Sequence, residues 1–230
     1  MDNLPTIPLI AAKSPKRVIC VFCGSSQGKS SEYMEAAHAL AHEFHKNNIT
    51  LVYGGGTFGL MGEIARVLTS LSGPDSVHGI IPAPLMRYEC DNPSPDIKTT
   101  SILPDSKRYG RTTIVKSMHE RKQMMVTEVL SGGPGSGFIA LPGGYGTLEE
   151  LMEMTTWNQL GILDKGVILF NVKGYWSGLL SWLENAVKSG FISVKTSAVI
   201  REAKTAEQCI LLLKEYKCEE GRLQLNWDDI

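Results

Sequence analysis

Two short stretches carry residues whose types and spacing could do chemistry. The run LPGGYGTLEE, from Leu141 to Glu150, sets Gly143, Gly144 and Gly146 beside Tyr145, Thr147 and the acids Glu149 and Glu150. Backbone N–H groups exposed by glycines, with a threonine hydroxyl at a helix start, can cradle a phosphate. The stretch has no Walker lysine, which points to one phosphate rather than a triphosphate with magnesium. The glutamates run against this, because carboxylates repel an anion. Thr147–Glu150 also fits S/T-x-x-E, in which Glu150 would do no more than cap the helix. Glu150, Met154 and Trp157 share one helical stripe, however, and an acid in an apolar stripe faces inward or into a cleft.

The second stretch is MHERKQMM, Met118 to Met125. His119-Glu120-Arg121-Lys122 could be a solvated charged face. Ile114, Met118, Arg121 and Met125 fall at i, i+4, i+7 and i+11, one apolar stripe of a helix that Arg121 interrupts. Arginine is rarely buried unless paired, so Arg121 calls for a carboxylate or an anionic ligand. A structural Arg121–Glu150 salt bridge and a substrate-binding pair are both open on these grounds. A third loop, Gly54-Gly55-Gly56, belongs to GGGTFGLMG, where Gly54, Gly56 and Gly59 match G-x-G-x-x-G. A dinucleotide site would want an acid at the end of the next strand, and Pro82 and Ala83 follow Ile81 there. That loop is read as tight turns or as a second, weaker phosphate-binding loop.

The elements that must position these residues alternate. Strands are expected at Arg17–Cys23, Ile49–Tyr53, Val77–Ile81, Phe138–Leu141 and Val167–Asn171, with a weaker one near Ala198–Ile200. Helices are expected at Ser31–Lys46, Met61–Leu71, Arg111–Leu130, Thr147–Leu160, Tyr175–Lys188 and Thr205–Lys217. Pro82–Gly110 has no clean period and reads as a long loop. Strands alternating with helices give an α/β fold, a Rossmann-like doubly wound parallel sheet with helices on both faces. Ligands bind such sheets at the C-terminal strand ends, which lines up the loops after Cys23, Tyr53, Ile81 and Leu141. Residues 1–15 read as a loose tail and 16–230 as one domain.

Composition narrows the function. With 230 residues and a net charge of −1, there is no bulk electrostatic case for nucleic acid or an anionic membrane. No run approaches the ~18 apolar residues that span a bilayer, and no signal peptide is read at the start. Five cysteines, an odd number, fit reduced thiols and a cytoplasmic protein. Cys20-x-x-Cys23 lies inside the apolar run RVICVFC and reads as two buried strand cysteines rather than a redox pair.

Taken together, VYGGGTFGLMG (Val52–Gly62), MHERK (Met118–Lys122) and PGGYGTLEE (Pro142–Glu150) resemble the LONELY GUY family of cytokinin-activating phosphoribohydrolases, formerly often labelled lysine decarboxylases. The resemblance runs from about Arg17 to Leu183. It implies a Rossmann-like fold, a homodimer or larger homo-oligomer, and neither metal nor nicotinamide cofactor. The implied reaction is hydrolysis of an N6-modified adenosine 5′-monophosphate to free base and ribose 5-phosphate. By motif position, Arg121 and Glu150 would be the catalytic pair. Lys122, Glu149 and the loop Gly143–Thr147 would contact the nucleotide, with Glu89 and Thr156 as further substrate contacts. The segment Asp91–Arg111 is longer than in the familiar plant members.

The resemblance also gives the acids beside the glycines a use. Breaking an N-glycosidic bond develops oxocarbenium-like charge on the ribose, which a carboxylate stabilises while the glycines hold the 5′-phosphate. The helix N-terminus is expected to keep Glu150 ionised. Alternatives are an AMP nucleosidase of the same chemistry and a non-catalytic nucleotide-binding carrier; a pyridoxal phosphate decarboxylase lacks a lysine in a suitable setting. Apolar residues on more than one face of the helices around Met125 and Met154 suggest an interface between two copies.

Overall fold

Seven parallel strands make one sheet, in the order β4-β3-β2-β1-β5-β6-β7. The computed structural model describes residues 15–90, 103–218, 223 and 225. The tail expected over residues 1–15 therefore lies outside the described residues except for Pro15, as do positions 91–102 of the long loop.

The strands are β1 (Val18–Phe22), β2 (Thr50–Tyr53), β3 (Val77–Pro82), β4 (Arg111–Val115), β5 (Gly137–Ala140), β6 (Gly166–Phe170) and β7 (Ile200–Ala203). The helices are α1 (Ser31–Lys46), α2 (Gly59–Ser72), α3 (Met86–Glu89), α4 (Ser106–Tyr109), α5 (Met118–Ser131), α6 (Tyr145–Gln159), α7 (Ser177–Lys188) and α8 (Ala206–Lys214). Alternate side chains of each strand feed two cores. In β1, Ile19 and Val21 join the core under α1, α2 and α8, whereas Cys20 and Phe22 join the one under α5, α6 and α7. Continuous apolar runs suit strands covered on both faces. Cys20 and Cys23 are buried free thiols, and burial pushes both thiols up, as the reading of a structural pair requires.

One element departs from its sequence pattern. The helix expected over Arg111–Leu130 is two elements, the edge strand β4 and the helix α5. RTTIV is rich in β-branched residues, which favour a strand. Ser117 then starts the helix: its hydroxyl accepts from Glu120 N at 3.1 Å, while Glu120 Oε2 accepts from Lys116 N at 2.8 Å. That reciprocal cap stops the strand from running on into the helix. Ile114 consequently shares no helical stripe with Arg121, whereas Met118, one turn before it in α5, does. The supposed long loop holds α3 and α4.

The order of the strands turns at β1, which pairs with β2 on one side and β5 on the other. The loops leaving β1 and β5 part there and open a crevice at the C-terminal ends of the strands. Gly24 N donates to Pro142 O at 3.0 Å and Leu60 N to Gly24 O at 3.1 Å. The three loops after β1, β2 and β5 are thus tied together around the crevice.

Candidate active site

The crevice has two adjoining parts. One, of about 300 Å3, is lined by Cys23, Gly24, Ser25, Gly54, Met61, Glu89, Met118, Arg121 and the stretch from Gly144 to Thr147 with Glu150. The other, of about 370 Å3, is lined by Gly24 to Gly28, Tyr33, Leu60, Pro142, Gly143, Gly144 and Tyr175. They meet at Gly24, Ser25 and Gly144.

Helix α6 supplies both its N-terminal N–H groups and an acid. Gly144 is its N-cap, and Leu148 N donates back to Gly144 O at 3.1 Å. The N–H groups of Tyr145, Gly146 and Thr147 precede that bond and, by helix geometry, have no carbonyl behind them. They stand at the cavity wall, at the positive end of the helix dipole. A Cβ placed on Gly144 or Gly146 would meet nothing of the protein within 4 Å, whereas one on Gly143 would strike Thr147 Oγ1 at 2.1 Å. Gly143 is a packing requirement; Gly144 and Gly146 leave room for a ligand to reach the backbone. Because the helix begins at Tyr145, Thr147 is inside its first turn and cannot be its N-cap. The capping-box role for Glu150 is thereby removed.

Glu150 is 8 % exposed, and what exposure it has faces the cavity. Burial raises its pKa to about 7; Glu149 and Glu89 push the same way, against the Arg121 and Lys122 charges. The expectation that the helix N-terminus keeps this acid ionised is therefore corrected. Removing a carboxylate from water outweighs the partial charges of one helix end, and Glu150 is poised between its two forms at neutral pH.

Arg121 is 7 % exposed and reaches the same cavity from α5. It does not hydrogen-bond to Glu150. Its Nη2 donates to Gly54 O at 3.2 Å and its Nη1 to Met118 Sδ at 3.8 Å, while Nε is buried with no partner. Of the two options the sequence left open, the structural salt bridge is the one the geometry does not make. A Cβ on Gly54 would lie 1.9 Å from Nη2, so glycine is needed for the guanidinium to lie against the loop. Glu89 lines the cavity from the end of α3. Burial raises its pKa, the Arg121 charge opposing this.

The structure thus brings Glu89, Arg121, Gly144, Tyr145, Gly146, Thr147 and Glu150 together, with Gly54, and places Gly143 in the adjoining part. Five expected contacts do not line either part. Lys122 pairs with Glu149 at 2.5 Å and Glu153 at 3.0 Å between α5 and α6. Glu149 is half-exposed in that pair, and Thr156 is exposed with its hydroxyl on Met152 O at 2.8 Å. Gly55 and Gly56 are buried but stand behind Gly54 rather than at the wall. Ser25, Ser26, Tyr33 and Tyr175 were missed. Ser25 and Ser26 follow a strand directly, a signal that could have found them; Tyr175 arrives only through the fold, donating its hydroxyl to Gly143 O.

The class these features define is a Rossmann-type α/β protein with a helix N-terminus and a buried acid at its switch point. Comparison with known proteins takes the assignment further. The family model described as "Possible lysine decarboxylase" matches residues 61–213. The chain is 49% identical over 211 residues to a bifunctional cytokinin biosynthesis protein of Fusarium pseudograminearum, covering 92% of this chain but 42% of that one. It is 46% identical over 209 residues to the cytokinin riboside 5′-monophosphate phosphoribohydrolase LOG3 of Arabidopsis thaliana, covering 90% of this chain and 87% of that one. The chain belongs to the LONELY GUY family. Among solved structures, a molybdenum cofactor binding protein from Rippkaea orientalis superposes with a TM-score of 0.56 at 20% identity, over 86% of this chain and 96% of that one; this likeness concerns the fold alone. Among the described residues, no helix is long and apolar enough to cross a membrane.

Proposed function

We propose that this protein hydrolyses the N-glycosidic bond of N6-modified adenosine 5′-monophosphates, releasing the free cytokinin base and ribose 5-phosphate. The observation that carries the reading is a buried carboxyl with a pKa near 7, on the same helix as the free N–H groups at the cavity wall. The names of the relatives support the substrate class. In this reading the 5′-phosphate sits on the N–H groups of Tyr145, Gly146 and Thr147. Bond breakage leaves positive charge spread over C1′ and the ring oxygen. Ionised Glu150 stabilises that charge and takes a proton from the attacking water, whose oxygen joins C1′ as the base leaves; that proton then passes through solvent to the base nitrogen, which regenerates the carboxylate. Arg121 holds the sugar phosphate against the acid. Residues 16–230 act as one catalytic unit, and the setting is the cytoplasm.

The phosphate gives the test. Remote binding energy supports the chemical step, so the monophosphate should exceed the free riboside in kcat/KM by at least about 100-fold. Equal values would refute the phosphate site.

The unit is proposed to work as a homodimer built through α5 and α6. Ile114 and Val115 belong to β4, and Met125, Val126, Val129, Leu151 and Met154 are buried in the chain's own core, so none of them offers a face to a partner. What supports the dimer is the remainder, Met124, Leu148, Met152 and Trp157, each only partly buried, with Met118 and Leu130 exposed. Two-fold dimers are the commonest way to cover such a surface. Light scattering at micromolar concentration should give about twice 25.2 kDa; an active monomer would show the helices have been misread.

A further inference from the structure

Three of the chain's five histidines, His38, His42 and His45, lie on one face of α1 at i, i+4 and i+7. None of them lines either part of the crevice. Two of them meet. His38 Nε2 and His42 Nε2 stand 3.0 Å apart, with ring centroids at 4.7 Å. The other ring nitrogen of His38, Nδ1, lies 3.2 Å from Glu63 Oε1 on α2, and Glu63 Oε2 accepts from Arg66 Nη2 at 2.7 Å. Both histidines are exposed, whereas the Glu63 side chain is only 14 % exposed. His45 is set apart, its Nδ1 bonded to Ser72 Oγ at 2.8 Å.

The order of partners fixes where the protons of the neutral rings sit. The Glu63 carboxylate can only accept, so His38 donates through Nδ1–H and keeps a lone pair on Nε2. His42 then meets that lone pair as a donor, through its own Nε2–H. A cation that replaces this one proton finds two imidazole lone pairs within its reach. The spacing suits such an exchange. Two nitrogens each about 2.0–2.1 Å from a metal stand about 2.9 Å apart at a right angle and about 3.3 Å apart at the tetrahedral angle. The 3.0 Å between the two Nε2 atoms lies within that range. Imidazole suits nickel, copper and zinc. A hydrogen-bonded carboxylate behind a ligating histidine commonly orients the ring, and Glu63, held by Arg66, occupies that place. We infer that His38 and His42 hold one divalent ion of this group through their Nε2 atoms, with Glu63 orienting His38. Among the described residues no three His, Cys, Asp or Glu side chains are grouped to hold an ion, so water completes the coordination and the ion exchanges with solvent. The site ties α1 to α2 through Glu63 and takes no part in the proposed reaction.

Calorimetric titration of the full chain with Ni2+ tests this, on the wild type and on His42→Ala, Glu63→Gln and His45→Ala. Surface substitutions of this kind leave a fold intact, and melting curves without metal check that they do. The wild type should take up one ion per chain. His42→Ala removes a ligand and should bind at least about 100-fold more weakly, the upper end of what loss of an orienting partner alone costs. Glu63→Gln keeps both ligands but loses the carboxylate behind His38, and a fall of about 10-fold is expected. His45→Ala should bind as the wild type does. An ion held only by the folded chain stabilises it, so Ni2+ should raise the melting temperature of the wild type and of His45→Ala but not of His42→Ala. No saturable uptake, undiminished affinity in His42→Ala, or a loss in His45→Ala equal to that in His42→Ala would overturn the inference. Undiminished affinity in Glu63→Gln would overturn the part given to Glu63.

Discussion

Glu150→Gln should lower base release by at least about 100-fold, the scale of a positioned acid–base group, while the purified variant becomes more stable at pH 8. The two effects share one cause. In the folded chain burial lifts the Glu150 pKa from 4.5 to about 7, so the native state holds this proton more tightly than the unfolded chain. Stability therefore falls as pH rises from about 4.5 to 7 and is level above that. The full penalty is ~3 kcal/mol, an upper figure for a shift of this size. Glutamine keeps the shape and never ionises, so its gain should be absent near pH 4 and complete by pH 8. Melting curves across that range, beside turnover, check both halves. In the wild type, kcat/KM should rise through pH 7 as the carboxylate forms. Near-wild-type turnover in the variant would remove Glu150 from the chemistry, and a variant less stable at pH 8 would show that its burial has another partner.

The second large effect is expected at a residue with no functional group. Gly54→Ala would put a Cβ 1.9 Å from Arg121 Nη2. The backbone there is compatible with alanine, and the atom that must move is the end of a long side chain, so the fold should absorb the change with little loss of melting temperature. The guanidinium would leave its place at the cavity. A misplacement of about 1 Å in a catalytic group costs on the order of 100-fold, and a loss of that size in kcat/KM is expected. Arg121→Ala should lose as much, and the double variant no more than Arg121→Ala alone, since the two substitutions remove one interaction. Additive losses would mean that Gly54 acts on the ligand directly.

The glycine loop and Glu150 were legible because their spacing is local: a strand end, a turn and two helical turns within one stretch. The burial of Arg121 was inferred correctly from a partly wrong stripe. Met125 does share its buried face, whereas Ile114 belongs to an edge strand. The break at Ser117 was written in the β-branched run before it and in Glu120 three residues on, but the apolar period running through both masked it. The raised pKa of Glu150 was not legible, because its main cause is burial by the packing of other elements around it, with the Arg121 charge from α5 opposing and the Glu89 charge from α3 adding. Tyr175 likewise reaches Gly143 across 32 positions of sequence, which no local pattern encodes. Lys122, for which the motif implies a nucleotide contact, pairs with Glu149 and Glu153 across α5 and α6, a pairing that no local pattern encodes.

The most direct measurement is product analysis. Purified protein incubated with isopentenyladenosine 5′-monophosphate, with neither metal nor cofactor added, should release isopentenyladenine and ribose 5-phosphate in equal amounts, and Glu150→Gln should release neither at a comparable rate. Nucleotide bound tightly but recovered intact, or base appearing without ribose 5-phosphate, would contradict the account.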